Sequence, residues 1–242
     1  MTKPPIGQAP GKREHVEAMF DDIAPRYDVL NRVLSFGIDV RWRRQAVALL
    51  EDALSGRPGR LLDVATGTAD LAIEALSLVP DEVVGVDISD GMLEGGRVKV
   101  ADKGIENRVT LVQADAADLP FEDDAFDGAF VAFGVRNFED LQAGLGGIRR
   151  VLRPGAPLVV LETSQPTAFP FKQGYQVYAR HLMPRIGRAL SGNAEAYEYL
   201  PESAREFPYG EAFLSELRAA GFTQCVAQPV TFGVASLYRG LA

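Results

Sequence analysis

The chain has 242 residues, 47% hydrophobic and 24% charged, proportions that exclude collagen-like, disordered and disulfide-scaffold classes. Its 25 Lys and Arg against 33 Asp and Glu leave a net charge of −8, the wrong sign for a nucleic-acid binder. One cysteine, Cys225, removes any internal disulfide or cysteine metal cage.

Residues 1–15, MTKPPIGQAPGKREH, are polar, rich in Pro and Gly and without an apolar signal core, so they read as a flexible arm. No apolar run approaches the ~20 residues that cross a bilayer. The chain is therefore expected in the cytoplasm or peripherally on the cytosolic face of a membrane. Residues 16–242 read as one domain, opened by a helical cap over 16–54. There Val29, Val33 and Ile38, then Trp42, Ala46, Leu49 and Leu50, recur at helical spacing, with breaks at Pro25 and Ser35-Phe36-Gly37. Arg41-Trp42-Arg43-Arg44 fits a solvated helix face or a contact with anionic lipid.

After Ser55–Gly59 the pattern changes to short apolar runs. Strands are predicted at Arg60–Val64, Val83–Asp87, Val109–Gln113, Gly128–Phe133, Leu158–Leu161, Gln224–Pro229 and Val234–Arg239. Helices are predicted at Asp70–Leu78, Gly91–Asp102 with Ser89 as cap, Phe138–Leu152 and Gly210–Ala220. This alternation argues for an α/β fold, with a mainly parallel sheet covered by helices on both faces. Residues 163–208 break the rhythm and read as a helical lid or substrate insertion. Its Phe169, Phe171, Tyr175 and Tyr178 suit an apolar ligand channel or lid core. Cys225 falls in a strand as a small hydrophobe.

Ligands of open α/β sheets bind beyond the carboxyl ends of the strands. Here the first three strands end on acids: Asp63, Asp87 and Asp115. Small residues over 65–69 let backbone approach a ligand, and Asp87 lies where a ribose diol is held. No Lys or Arg accompanies the acids, which argues against a phosphate-bearing ligand. Neither G-x-G-x-x-G nor a P-loop is present. Of the six acids from Asp115 to Asp127, most read as a solvated loop. The two histidines stand far apart, so no metal site is expected.

Asp63-Val64-Ala65-Thr66-Gly67-Thr68-Ala69-Asp70, followed by Asp87 and Asp115, resembles the class I S-adenosylmethionine-dependent methyltransferase pattern, a Rossmann-like fold with a seven-stranded sheet. Tyr27-Asp28…Asn31…Leu34-Ser35…Gly37 with Trp42-Arg43, Phe133-Gly134-Val135-Arg136-Asn137, Leu161-Glu162…Ser164…Pro166, Met183-Pro184-Arg185…Gly187 and Tyr199–Ser203 with Phe207-Pro208 are similar to the UbiE/MenG family. The resemblance implies C-methylation of a polyprenylated quinol in menaquinone or ubiquinone biosynthesis, with S-adenosylhomocysteine as by-product and no metal. Demethylmenaquinol is the first substrate, 2-polyprenyl-6-methoxybenzoquinol or another lipophilic phenol the alternatives.

By the same resemblance Asp63, Thr66, Gly67, Thr68, Asp87, Ile88, Asp115 and Ala116 bind the cofactor. Tyr27, Asn31 and Asn137 contact substrate, and Arg136, Asp28 and His181 are the catalytic candidates. Arg136 suits either oxyanion stabilisation or a salt bridge to a neighbouring acid, Asp28 and Tyr27 either site closure or helix packing, and His181 either catalysis or a surface position. Peripheral membrane contact, a homodimer and a place in a quinone-biosynthesis assembly all stay open. The chain departs from the family at Ala69, where glycine is usual, and at Ala132, where a serine is common. The Ala69 side chain is harmless only if φ there is negative.

Overall fold

The computed structural model describes residues 11–166, 169–178, 199 and 202–242. Three helices come first: α1 (Lys12–Ile23), α2 (Tyr27–Leu34) and α3 (Ile38–Glu51). A 3-10 turn at Ala24–Arg26, with Pro25 inside it, separates the first two. Phe36 and Gly37 at positive φ separate the next two. Helix α1 starts inside the stretch expected to be a flexible arm. Lys12 is 2% exposed, because its amine donates to the carbonyls of Arg136 (2.7 Å) and Phe138 (2.9 Å). Composition marks such residues as polar; it does not say that a loop 124 positions away supplies acceptors.

The alternating part forms β1 (Arg60–Val64), α4 (Asp70–Ala75), β2 (Glu82–Asp87), α5 (Asp90–Asp102), β3 (Val109–Gln113), β4 (Gly128–Ala132), α6 (Leu141–Val151) and β5 (Pro157–Thr163). Beyond it lie α7 (Phe171–Val177), a helical turn at 202–206, α8 (Glu211–Ala219), β6 (Thr223–Val230) and β7 (Ala235–Leu241). The sheet order is β3-β2-β1-β4-β5-β7-β6. The first five strands run parallel, and β7 is antiparallel to both β5 and β6. Strand β5 outruns its predicted four residues because β7 pairs with it from Pro157 to Thr163. Helix α6 starts three residues later than predicted, capped by Asp140, whose carboxylate accepts from Ala143 N–H.

Leu61 and Leu62 are both fully buried, though neighbours on a strand point to opposite faces. One face packs Leu62, Val84 and Val131 against α6 and α8; the other packs Leu61, Val83 and Phe130 against α3 and α4. Helices cover both faces, which is why these strands read as continuous apolar runs. A smaller cluster joins Val16, Met19, Ile23 and Leu30 of the cap to Met92 of α5 and to Tyr199. The chain winds from β1 to β3 in one direction and to β4 and β5 in the other. That reversal puts the crevice of the fold between the ends of β1 and β4.

Candidate active site

The turn after β1 alternates left-handed and ordinary residues: Ala65, Gly67 and Ala69 have φ of 54°, 55° and 66°. Glycine takes this conformation freely, whereas each alanine carries about 1 kcal/mol of steric strain or more. The Ala69 side chain therefore sits in the unfavourable region. Gly67 lies under Tyr27, where a Cβ would come within 3.8 Å of the ring. Gly134 is required by contact, since a Cβ there would fall 2.4 Å from that of Ala65.

The three strand-end acids differ in their surroundings. Asp63 is 1% exposed; its Oδ2 accepts from the Thr66 hydroxyl (2.6 Å), and its Oδ1 is buried with no hydrogen-bond partner among the described residues. Burial pushes its carboxyl up to about 7, with the Thr66 hydrogen bond opposing. Asp87 accepts the Gly67 N–H (2.8 Å) on one oxygen and the Ser89 N–H (2.9 Å) on the other. It ties the first turn to the start of α5, and burial raises it to about 6 against those amides. Asp115 accepts the Ala117 N–H (2.9 Å) and pairs with Arg13 of α1 at 3.4 Å.

These residues border two adjoining hollows. The first holds about 680 Å³ together with the solvent at its mouth, within the range of small-molecule sites. Asp87, Ile88, Asp115 and Ala116 line it from the sheet, Asn137 and Phe138 from the loop after β4, and Arg13, Val16 and Phe20 from α1. The second is lined by Asp28, Asn31, Asp63, Thr66, Thr68 and Asp70, among others. Tyr27, Ala65, Gly67, Ala132 and Phe133 border both. The structure thus collects all eight expected cofactor residues around one crevice.

The expected catalytic residues are more dispersed. Both oxygens of Asp28 are engaged, one by the Thr68 hydroxyl (2.6 Å) and one by the Lys99 amine (2.6 Å). Asn31 hydrogen-bonds Tyr27, and Asn137 accepts from the Tyr199 hydroxyl (3.2 Å). Arg136 pairs with Glu162 at 2.5 Å in the interior and lines neither hollow. His181 lies outside the described residues. The Arg41–Arg44 run is split: Trp42 donates to the Thr231 hydroxyl (2.7 Å), Arg43 binds Asp39 and Asp70, and Arg44 pairs with Glu74 on the surface. Sequence reasoning named Glu162 only within a motif and gave no role to it, to Lys12 or to Lys99. A glutamate closing the apolar run Leu158–Leu161 was the available signal for the first.

The ubiE/COQ5 methyltransferase family model matches residues 9–242. The chain belongs to that family. It is 46% identical over 232 residues to a demethylmenaquinone methyltransferase of Porphyromonas gingivalis, covering 95% of this chain and 94% of the relative. Another, from Thermus thermophilus, is 49% identical over 223 residues, covering 92% and 99%. A Geobacter sulfurreducens relative described as a ubiquinone/menaquinone biosynthesis C-methyltransferase is 46% identical, over 95% and 89%. Among solved structures, a Thermotoga maritima protein described as an S-adenosylmethionine-dependent methyltransferase superposes with a TM-score of 0.65 at 20% identity, covering 94% and 99%. The cyclase SpnF superposes at 0.67 with 18% identity, over 99% and 98%. Such neighbours show the fold, which hosts more than one chemistry.

As an S-adenosylmethionine-dependent methyltransferase, the protein has to hold an ammonium group, a ribose and an adenine, and the residues present fit all three. The orphaned Asp63 Oδ1 is a buried acceptor suited to an ammonium. Asp87 retains free lone pairs for a diol. Asp115 faces a wall of Ile88, Met92, Ala116 and Phe138 of the kind that sandwiches a base. Among the described residues, no group of three or more His, Cys, Asp or Glu is placed to hold a metal ion.

Proposed function

We propose that the protein methylates a ring carbon of demethylmenaquinol, a polyprenylated quinol, yielding menaquinol and S-adenosylhomocysteine. The observation that carries the reading is 46–49% identity, over nearly the whole chain, to relatives described as demethylmenaquinone methyltransferases. The Geobacter relative is described as serving both ubiquinone and menaquinone biosynthesis, and for this chain a second acceptor is therefore 2-polyprenyl-6-methoxybenzoquinol.

The bound cofactor supplies an electrophilic methyl group on a sulfonium. The chain has three tasks. Asp63, Asp87 and Asp115 fix the donor; Tyr27, Ala132 and Phe133, shared by both hollows, wall the crevice against water. The third task is a proton. A phenol with a pKa near 10 is about 0.1% ionised at pH 7, roughly 4 kcal/mol short of the reactive anion. A base acting at the ring hydroxyl therefore contributes directly to rate.

A polyprenyl tail keeps such a substrate in a bilayer. Among the described residues no helix is long and apolar enough to cross a membrane. Peripheral contact is supported instead by an exposed apolar face: Val29 and Val33 of α2 and Phe36 in the turn after it are 62%, 40% and 71% exposed. Phe36 stacks obliquely on Tyr178 at 5.7 Å, next to the exposed Val177 of α7. This face backs Tyr27 and Asn31, which border the second hollow.

The test incubates the protein with methyl-labelled S-adenosylmethionine and the two reduced acceptors separately, then examines the quinones by mass spectrometry. Label on the naphthoquinol ring supports the reading, and label on the benzoquinol alone moves it to the second acceptor. Tight cofactor binding without ring label on either would sink it. Flotation with anionic vesicles tests the membrane face: Phe36→Asp should at least halve the floated fraction.

A further inference from the structure

The ion pair of Arg136 and Glu162 is unusual in what it leaves unmade. Glu162 has no exposure and the Arg136 side chain 8%. A single contact joins them, Arg136 Nη1 donating to Glu162 Oε1 at 2.5 Å. The same oxygen also accepts the Thr163 N–H (2.7 Å) and the Thr163 hydroxyl (3.0 Å). Oε2 of Glu162 and Nε of Arg136 are buried with no hydrogen-bond partner among the described residues. Native interiors rarely leave one such atom, and here an acceptor and a donor are orphaned on the two halves of one pair.

A substrate hydroxyl satisfies both, as a water would, since it donates one hydrogen bond and accepts another. We propose that this pair seats the quinol ring hydroxyl beside the carbon to be methylated, with Glu162 taking its proton and Arg136 holding the oxyanion. The proposal rests on the quinol reading above. Neither residue lines a hollow itself, but both adjoin residues at the crevice: Glu162 follows Leu161, whose strand partner Ala132 borders both hollows, and Arg136 precedes Asn137, which borders the first. Tyr175 of α7 and Tyr199 lie close enough to the pair that both charges act on their phenols.

The step balances. The O–H bond breaks, the proton passes to Glu162 Oε2, and the oxygen's electron pair is shared into the ring. The adjacent carbon bonds the methyl group as the methyl–sulfur bond breaks, leaving its electrons on sulfur. Loss of the ring proton from that carbon to solvent restores aromaticity, and Glu162 returns its proton to the oxygen. One proton is released overall.

Glu162 is faced by Arg136, by Tyr175 and Tyr199, and by Tyr238 of β7, with Lys12 on the far side of Arg136. Glu162→Gln keeps the shape and removes the base. It should lower kcat at least 100-fold and leave the S-adenosylmethionine Kd within twofold. A ring-fluorinated quinol with a more acidic hydroxyl needs the base less, so the wild-type-to-variant kcat ratio should shrink at least tenfold with it. A kcat within threefold of wild type, or the same ratio for both quinols, overturns the proposal. If Glu162→Gln fails to bind cofactor, Glu162→Asp decides. It withdraws the carboxylate but keeps its charge, so kcat should fall at least tenfold; unchanged kcat overturns the proposal. A wild type that methylates no quinol removes the parent reading instead, and this one with it.

Discussion

Asp63 is folded into a place that does not suit its charge until a cation arrives. Its carboxyl stands at about 7 in the folded chain against 3.8 when exposed, because burial disfavours the anion. Between those values the folded state holds a proton that the unfolded state has lost, so this group's contribution to stability falls as pH rises from about 4 to about 7. An ammonium at Oδ1 reverses the preference. Cofactor binding at pH 7 should therefore release about half a proton from this group, read as a dependence of the calorimetric enthalpy on buffer. Affinity should peak between about 7, where Asp63 ionises, and about 8, where an α-amino group loses its charge. Asp63→Asn should bind weakly, with a flat acidic limb; an unchanged limb would assign the titration to another group. Asp87→Ala removes the proposed ribose acceptor and also frees the Gly67 and Ser89 amides. It should raise the cofactor Kd at least tenfold, about 1.4 kcal/mol, and calorimetry giving the wild-type Kd would refute the ribose assignment.

Helix α1 shows what a linear reading loses. Gly11-Lys12-Arg13-Glu14-His15 has the composition of an arm, yet Lys12 anchors the helix, Arg13 pairs with Asp115, and Asp21 accepts from the Ser89 hydroxyl and the Gly91 N–H at the start of α5. All these partners lie more than 65 positions away, so no local pattern encodes them. By contrast, the strand-end acids and Ser89 as a cap were legible, because alternation and capping are local signals. Ala69 was legible only in half: its departure from glycine showed in the chain, but its φ of +66° needed the turn. Arg136 was left between oxyanion stabilisation and an ion pair, and the ion pair exists; its partner stood 26 positions on, inside an apolar strand. Burial lowers the Lys12 amine to about 8, with Arg136 adding to the effect and Glu139 opposing. Between about 8 and 10.5 the folded chain holds fewer protons than the unfolded one, so the charge-burial penalty fades and α1 docks more firmly as pH rises. Amide protection factors over residues 12–23 should increase from pH 7.5 to 9. Lys12→Met, which strands two carbonyls, should lower them and raise the cofactor off-rate several-fold, while cofactor release at the wild-type rate would show that α1 does not hold the ligand in.

At the scale of the molecule, the cap and the sheet are joined through charge as well as packing. Arg32 reaches Asp39 at 3.9 Å, Arg43 binds Asp39 and Asp70, and Lys99 binds Asp70 and Asp28. This chain of alternating charges runs from α2 through α3 and α4 to α5, around the turn after β1 that the proposed cofactor site uses. Strands β6 and β7 take no part in it. A ligand filling the crevice therefore bears on one side of the molecule. Mass action sets the total effect: S-adenosylhomocysteine at 100 times its Kd should stabilise the fold by about 2.7 kcal/mol. For a domain of this size that is a rise of roughly 5–10 °C in Tm. The distribution of the effect tests the architecture. Amide exchange should slow in α1, α2 and residues 65–69, with little change across β6 and β7 below the global unfolding limit. Lys99→Met leaves Asp28 and Asp70 without their shared cation, and should shrink the protection of α2 while leaving that of the turn. Uniform protection of every element would mean that the cap and the sheet open only together, and that the charge chain couples nothing the apolar core does not already couple.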